Sequence, residues 1–137
     1  MTLGPPAPSL QALFEISEEI AFPAAHQLRL TTGEGEFLHG HTWRVRAFVR
    51  AETLDRRGMV VDFADLHAAL ARITSTLSHR FLNEVPPFDD INPSAENLAR
   101  HVAVELARSL GDERVRVHRV DVWETDTCCA TWFAPAP

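Results

Sequence analysis

The chain has 137 residues, 45% of them hydrophobic and 23% charged, and a formal net charge of -6. That length predicts one domain with a core of its own, and the composition excludes wholesale disorder. No apolar run approaches the roughly 18 residues of a membrane span, and the acidic balance argues against nucleic acid as a partner.

Residues 1–9 are Pro-rich and predict a disordered leader ahead of a single domain over 10–134. Nothing basic precedes Arg29, so no secretory signal is expected and the chain is assigned to the cytoplasm. Leu10–Leu30 predicts a first strand, interrupted near Pro23, and Thr31–Gly35 a loop. His41–Ala51 alternates cleanly. Trp43, Val45, Ala47 and Val49 share one face, and Arg44, Arg46, Phe48 and Arg50 the other, the pattern of a half-buried antiparallel strand. Asp55–Gly58 predicts a turn and Met59–Val61 a short strand end.

Asp62 predicts the N-cap of a helix whose apolar stripe is Phe63, Leu66, Leu70, Ile73 and Leu77. A loop holds Pro86 and Pro87. Ser94 predicts a second cap, Leu98, Val102, Leu106 and Leu110 a second stripe, and Gly111 its end. Val115–Glu124 predicts a strand that turns at Asp126-Thr127 and returns as Cys128–Phe133. The order strand, strand, helix, helix, strand, strand predicts an α+β fold: a four-stranded antiparallel sheet with two helices on one face. Neither a dinucleotide nor a P-loop phosphate fingerprint is present.

All 13 basic residues are arginine, which excludes lysine-based chemistry. The two cysteines, Cys128 and Cys129, are adjacent and point to opposite faces of a strand, so a reduced, packing role is expected. The seven histidines are more informative. In an extended chain His39 and His41 point to the same face, so two imidazoles converge, with Gly40 between them permitting close approach to the backbone. His26, at the end of the first strand and one hairpin-length loop away, is the candidate third ligand. Three histidines with an open fourth position are the catalytic zinc pattern; the alternative is two surface histidines flanking a turn.

Phe22-Pro23-Ala24-Ala25-His26, His39-Gly40-His41, Gly58-Met59-Val60-Val61-Asp62-Phe63, Ser78-His79-Arg80-Phe81-Leu82-Asn83, Pro93-Ser94-Ala95-Glu96-Asn97 and Glu124-Thr125 stand in that order along nearly the whole chain. Together they resemble the 6-pyruvoyl-tetrahydropterin synthase family, which includes the 6-carboxytetrahydropterin synthases of queuosine biosynthesis. The resemblance implies a tunnelling (T-fold) domain whose subunits close a trimeric antiparallel barrel, stacked in pairs as hexamers with active sites at subunit boundaries. It implies Zn2+ on His26, His39 and His41, a small-molecule pterin substrate, and Glu124 as the carboxylate that anchors the pterin ring, with Thr125 beside it. Two adjacent N–H donors on the pterin edge suit a carboxylate; without the family, Glu124 reads as an exposed hairpin-end charge. Glu96 reads first as a carboxylate at a helix N-terminus and second as a substrate contact, and Ser94 as a cap that adds a ligand hydrogen bond.

Two family positions differ. No cysteine precedes His39, where the pyruvoyl- and carboxy-forming members carry a catalytic one, and Ser78 stands where the family has an aspartate before His79. Glu36, three residues before His39, resembles the glutamate variant of the family, which is associated with folate biosynthesis and cleaves the side chain of dihydroneopterin to give 6-hydroxymethyl-7,8-dihydropterin. In that reading Glu36 takes a hydroxyl proton and His79 returns one; the alternative is a solvated loop charge beside Glu34. The other activities considered are 6-carboxytetrahydropterin synthesis, turnover of a different substrate, and loss of catalysis.

Overall fold

The computed structural model describes residues 4, 12–30 and 36–136. Apart from Gly4, the expected leader over 1–9 and the loop 31–35, with Gly35, lie outside them. The elements are β1 (Phe14–His26), β2 (His39–Ala51), α1 (Phe63–Ser75), α2 (Ala95–Leu110), β3 (Arg116–Thr125) and β4 (Cys128–Phe133). The strands form one antiparallel sheet in the order β1-β2-β3-β4. The α+β architecture expected from the pattern is therefore present.

The alternation of β2 sets the core. Trp43, Val45, Ala47, Val49 and Ala51 are buried on one face beside Phe22 and Ala24 of β1 and Val120 and Val122 of β3. The helices cover that face with Leu66, Leu70 and Ile73 from α1 and Leu98, Val102 and Leu106 from α2. On the opposite face Arg44 and Arg46 reach Glu19, Arg50 reaches Glu15, and Arg119 reaches Asp121. Arg119 also lies 3.8 Å over the Phe48 ring. The half-exposed pairs on Glu19 and Glu15 contribute little stability individually, whereas Asp121 is buried and also accepts from Thr131 Oγ1.

Four boundaries differ from expectation; the smallest difference is β3, which runs Arg116–Thr125 instead of Val115–Glu124. β1 is described as a strand only from Phe14 to His26, and residues 27–30 continue without strand pairing. β2 starts two residues earlier, at His39, so both histidines of the His-Gly-His motif are strand residues. Met59–Val61 is not a strand. The Met59 carbonyl accepts from Asp55 N–H and the Val60 carbonyl from the Arg114 guanidinium, so its backbone is used by a turn and a side chain, not by a sheet edge. A 3-10 turn at Leu82–Glu84 was not foreseen.

Both helices begin where their caps predict. Asp62 accepts from Ala64 N–H at 2.8 Å, and Ser94 Oγ from Asn97 N–H at 3.2 Å. Gly111 ends α2 with φ 56°, a left-handed conformation that costs a side-chain-bearing residue energy. Replacing Ser94 with alanine removes one cap bond, so unfolding in urea is expected to show a loss of about 1 kcal/mol.

Candidate metal centre and adjoining cleft

The sheet register brings the three histidines together. In the β1–β2 ladder His26 pairs with His39 and Ala24 with His41, so His26 faces one histidine directly and the other diagonally. His26 continues the inward face of Phe22 and Ala24 and is fully buried; His39 and His41 continue the face of Trp43. The ring centroids lie 4.6 Å apart for His26 and His39, 4.6 Å for His39 and His41, and 5.1 Å for His26 and His41. Trp43 forms the floor, edge-on to His26 at 4.9 Å and to His41 at 5.3 Å, and its indole N–H is tied to the Ala24 carbonyl.

Hydrogen bonds fix which nitrogen is free in two of the rings. His26 Nδ1 lies 2.8 Å from the Pro93 carbonyl and His39 Nδ1 2.7 Å from the Phe37 carbonyl. A carbonyl only accepts, so both Nδ1 atoms carry the proton. In the neutral rings both Nε2 atoms then present lone pairs, yet they stand 3.0 Å apart. Two lone pairs aimed at one another repel, and a cation between them removes the conflict. His41 Nε2 is buried without a hydrogen-bond partner; Glu124 Oε1 approaches it to 2.8 Å but off the direction a hydrogen bond needs. The ligand atoms of His26, His39, His41 and Glu124 all lie within 4.8 Å of one another. The donor set and its orphaned nitrogen fit a divalent metal bound by imidazole, with the backbone carbonyls orienting two of the ligands.

The charges around the rings act in opposite directions. The Phe37 carbonyl, opposed by burial and helped by Glu36 and Glu124, holds His39 above the ordinary histidine value. Burial outweighs Glu124 at His41 and holds it below that value, with His26 and His39 adding to the depression.

Among the described residues, Glu36 and Glu124 are the two carboxylates at this cluster. Glu36 Oε1 stands 3.7 Å from His39 Nε2 and 3.9 Å from His26 Nε2, and accepts from Leu28 N–H at 3.3 Å. Glu124 Oε1 stands 3.7 Å from His39 Nε2 and 3.4 Å from His26 Nε2. Glu124 falls where the β3–β4 register shifts between Trp123 and Thr125, and a bulge at such a point re-aims a side chain.

A cleft of about 530 Å³ borders the cluster through His41. Pro23, Ala24, Ala25, Gly40 and Thr42 line one side, and His79, Arg80 and Phe81 the other. His79 has φ 60°, unusual for a residue with a side chain. It is held by its N–H to the Pro23 carbonyl at 2.7 Å and by Ser78 Oγ, 3.0 Å from its Nδ1. The serine thus sits in hydrogen-bond contact with the ring at the place where the resemblance leads one to look for an aspartate.

The remaining candidates are spread more widely. Glu96 is an exposed residue in the first turn of α2, Ser94 spends its oxygen on the cap, and Thr125 is exposed at the end of β3. Gly40 is not required by packing: a Cβ there would meet only the Ala24 carbonyl, at the ordinary distance of 3.8 Å. Cys128 and Cys129 are both free and exposed, not packing residues. His67 pairs with Glu18 at 3.0 Å, and His101 is half-buried, edge-on to Phe88. Sequence reasoning missed the two orienting carbonyls, since any residue supplies a carbonyl and no side chain signals its use. It also missed the Trp43 floor, which the alternation from His41 to Trp43 did offer.

Comparison with known proteins shows the family and the fold. A 6-carboxy-5,6,7,8-tetrahydropterin synthase of Synechocystis sp. is 34% identical over 125 residues, covering 88% of this chain and 93% of that protein. A dihydroneopterin monophosphate aldolase of Pyrococcus furiosus is 32% identical over 104 residues, 76% and 83% of the two chains. In three dimensions a Plasmodium vivax 6-pyruvoyltetrahydropterin synthase, solved as a variant of a catalytic glutamate, superimposes with a TM-score of 0.72 at 22% identity, covering 90% of this chain and 99% of that one. The family model for 6-pyruvoyl tetrahydropterin synthase matches residues 15–135, and the chain belongs to that family.

Proposed function

We propose that the protein is a Zn2+-dependent pterin lyase that cleaves the side chain of 7,8-dihydroneopterin, free or phosphorylated, to give 6-hydroxymethyl-7,8-dihydropterin. The observation that carries this reading is the Glu36 carboxylate 3.7–3.9 Å from two of the histidine nitrogens, in a loop that supplies no cysteine. The similarity to the Pyrococcus furiosus aldolase and the catalytic glutamate of the Plasmodium vivax relative support it.

His26, His39 and His41 would hold the metal, which supplies Lewis acidity to the vicinal hydroxyls of the side chain. Glu36 takes the proton from the 2′-hydroxyl. The C1′–C2′ bond breaks, its electron pair passes into the ring imine, and glycolaldehyde or its phosphate leaves. His79, from the far side of the cleft, returns a proton to C1′, and Ser78 orients its ring. Glu124 would accept two N–H groups of the pterin edge. Thr125, Ser94 and Glu96 are the further substrate contacts of this reading. In this reading the protein works as a homotrimer or stacked hexamer. Both sheet edges, β1 and β4, lack strand partners among the described residues, and such edges favour pairing with further copies.

Incubating the zinc-loaded protein with 7,8-dihydroneopterin and, separately, with its monophosphate and triphosphate should yield 6-hydroxymethyl-7,8-dihydropterin by mass spectrometry. The Synechocystis relative, at 34% identity, motivates the second reading, 6-carboxytetrahydropterin synthesis. Formation of carboxytetrahydropterin from the triphosphate would establish that reading and reject the lyase.

A further inference from the structure

Residues 27–30 leave β1 without a neighbouring strand, yet their backbone is paired as in a ladder. Gln27 N–H donates to Asn83 Oδ1 at 2.9 Å, and Asn83 Nδ2 donates to the Gln27 carbonyl at 2.6 Å. Two residues on, Arg29 N–H donates to Asn92 Oδ1 at 2.7 Å, and Asn92 Nδ2 to the Arg29 carbonyl at 2.9 Å. Two side-chain amides thus make the reciprocal bonds that a partner strand makes at alternate residues. In an extended segment the intervening N–H points the other way. That group, Leu28 N–H, donates to Glu36 Oε1 at 3.3 Å, and the Gln27 side-chain amide donates to the Glu36 carbonyl at 2.7 Å.

We infer that Asn83 and Gln27 are positioning residues for Glu36. Asn83 fixes the backbone of residue 27, so that Leu28 N–H and the Gln27 amide hold both ends of Glu36 against the histidine cluster. Neither residue needs to touch substrate. Asn83 lies four residues after His79 on a segment docked to the same end of β1, through His79 N–H to the Pro23 carbonyl and Ala25 N–H to the Arg80 carbonyl. One short segment therefore sets the place of both groups in the proposed proton relay. The inference rests on the reading of Glu36 as the base.

The test is steady-state turnover of 7,8-dihydroneopterin by the zinc-loaded protein, with bound zinc and melting temperature measured on the same samples. Asn83→Ala is expected to lower kcat by about 10–100-fold, the usual effect of removing a group that orients a reacting one, with KM and zinc content within about twofold of wild type. Gln27→Ala cuts the second link at a partly exposed side chain, and stands in should Asn83→Ala fail to fold. It is expected to lower kcat in the same way. The double variant should be no slower than the slower single, because both release the same carboxylate. Losses that multiply, or a fall in zinc content that tracks the fall in rate, would show a merely structural role and overturn the inference. Full turnover in Asn83→Ala and Gln27→Ala beside an inactive Glu36→Ala would overturn the positioning role alone. Full turnover in Glu36→Ala would instead remove the reading of Glu36 itself.

Discussion

Replacing His39 with alanine is expected to abolish stoichiometric metal binding while leaving the fold intact. The His39 side chain is about one-third exposed at the start of β2, so its removal opens no sealed cavity. In the proposed centre it would supply one of three imidazoles, and the two that remain, His26 and His41, would lack the third side of the shell. In wild type a bound metal stabilises the native state by mass action, about 2.7 kcal/mol at a concentration one hundred times the dissociation constant. For a chain of this length that corresponds to roughly 10 °C in Tm. Wild type should show that rise on adding Zn2+ and one zinc per chain by elemental analysis; His39→Ala should show neither. An unaltered zinc content in the variant would remove His39 from the ligand set. The pH dependence follows from the same ring. A metal binds His39 only in its neutral form, and the Phe37 carbonyl with the nearby carboxylates holds its pKa above the ordinary value. Protons therefore begin to compete above pH 6.5, and zinc affinity should fall by up to tenfold per pH unit as pH drops through that raised value. His41, held low by burial, joins the competition only at more acidic pH.

The parts of this centre that sequence exposes are those with a period. Alternation in β2 placed Trp43 and Val45 inward, and the same parity carries back to His41 and His39. Extending β2 by two residues changed no face, since parity survives an error in a strand's start. The pairing of His26 with His39 was expected only in outline, because the intervening loop fixes the register and loops carry no such pattern. Met59–Val61 shows the converse. Its apolar residues suggest a strand, but the Arg114 guanidinium claims the Val60 carbonyl from across the chain, and nothing local announces that. The amide ladder of Asn83 and Asn92 was equally hidden, since asparagine in a loop is an ordinary turn residue and its partners lie about sixty residues away. Among the described residues no helix is long and apolar enough to cross a membrane, as the hydropathy pattern leads one to expect.

Glu36→Gln is expected to separate the two carboxylates of the centre. The amide matches the carboxylate in size and can still accept from Leu28 N–H, so the loop keeps its geometry, but it cannot take a proton. Loss of a positioned general base costs about 10²–10⁴-fold, and that loss should fall on kcat, with KM and zinc content near wild type. Glu124→Gln should behave differently. Its proposed partners are two N–H donors of the pterin, and an amide offers one acceptor and one clashing NH2 in place of two acceptors. A hydrogen bond to a charged group contributes about 1.5–3 kcal/mol, so KM should rise about 10–100-fold. Both carboxylates stand within 4 Å of His26 and His39 nitrogens, and static distance alone does not rank them. Their surroundings do. Glu36 is gripped at its carboxylate by Leu28 N–H and at its own carbonyl by Gln27, the restraint a base needs to meet one hydroxyl repeatedly. Glu124 sits at a strand bulge, and among the described residues no backbone hydrogen bond fixes its carboxylate, so it can turn toward an entering ring. Equal kcat losses in the two variants would reject that division of labour, and an unchanged kcat in Glu36→Gln would reject the carboxylate base.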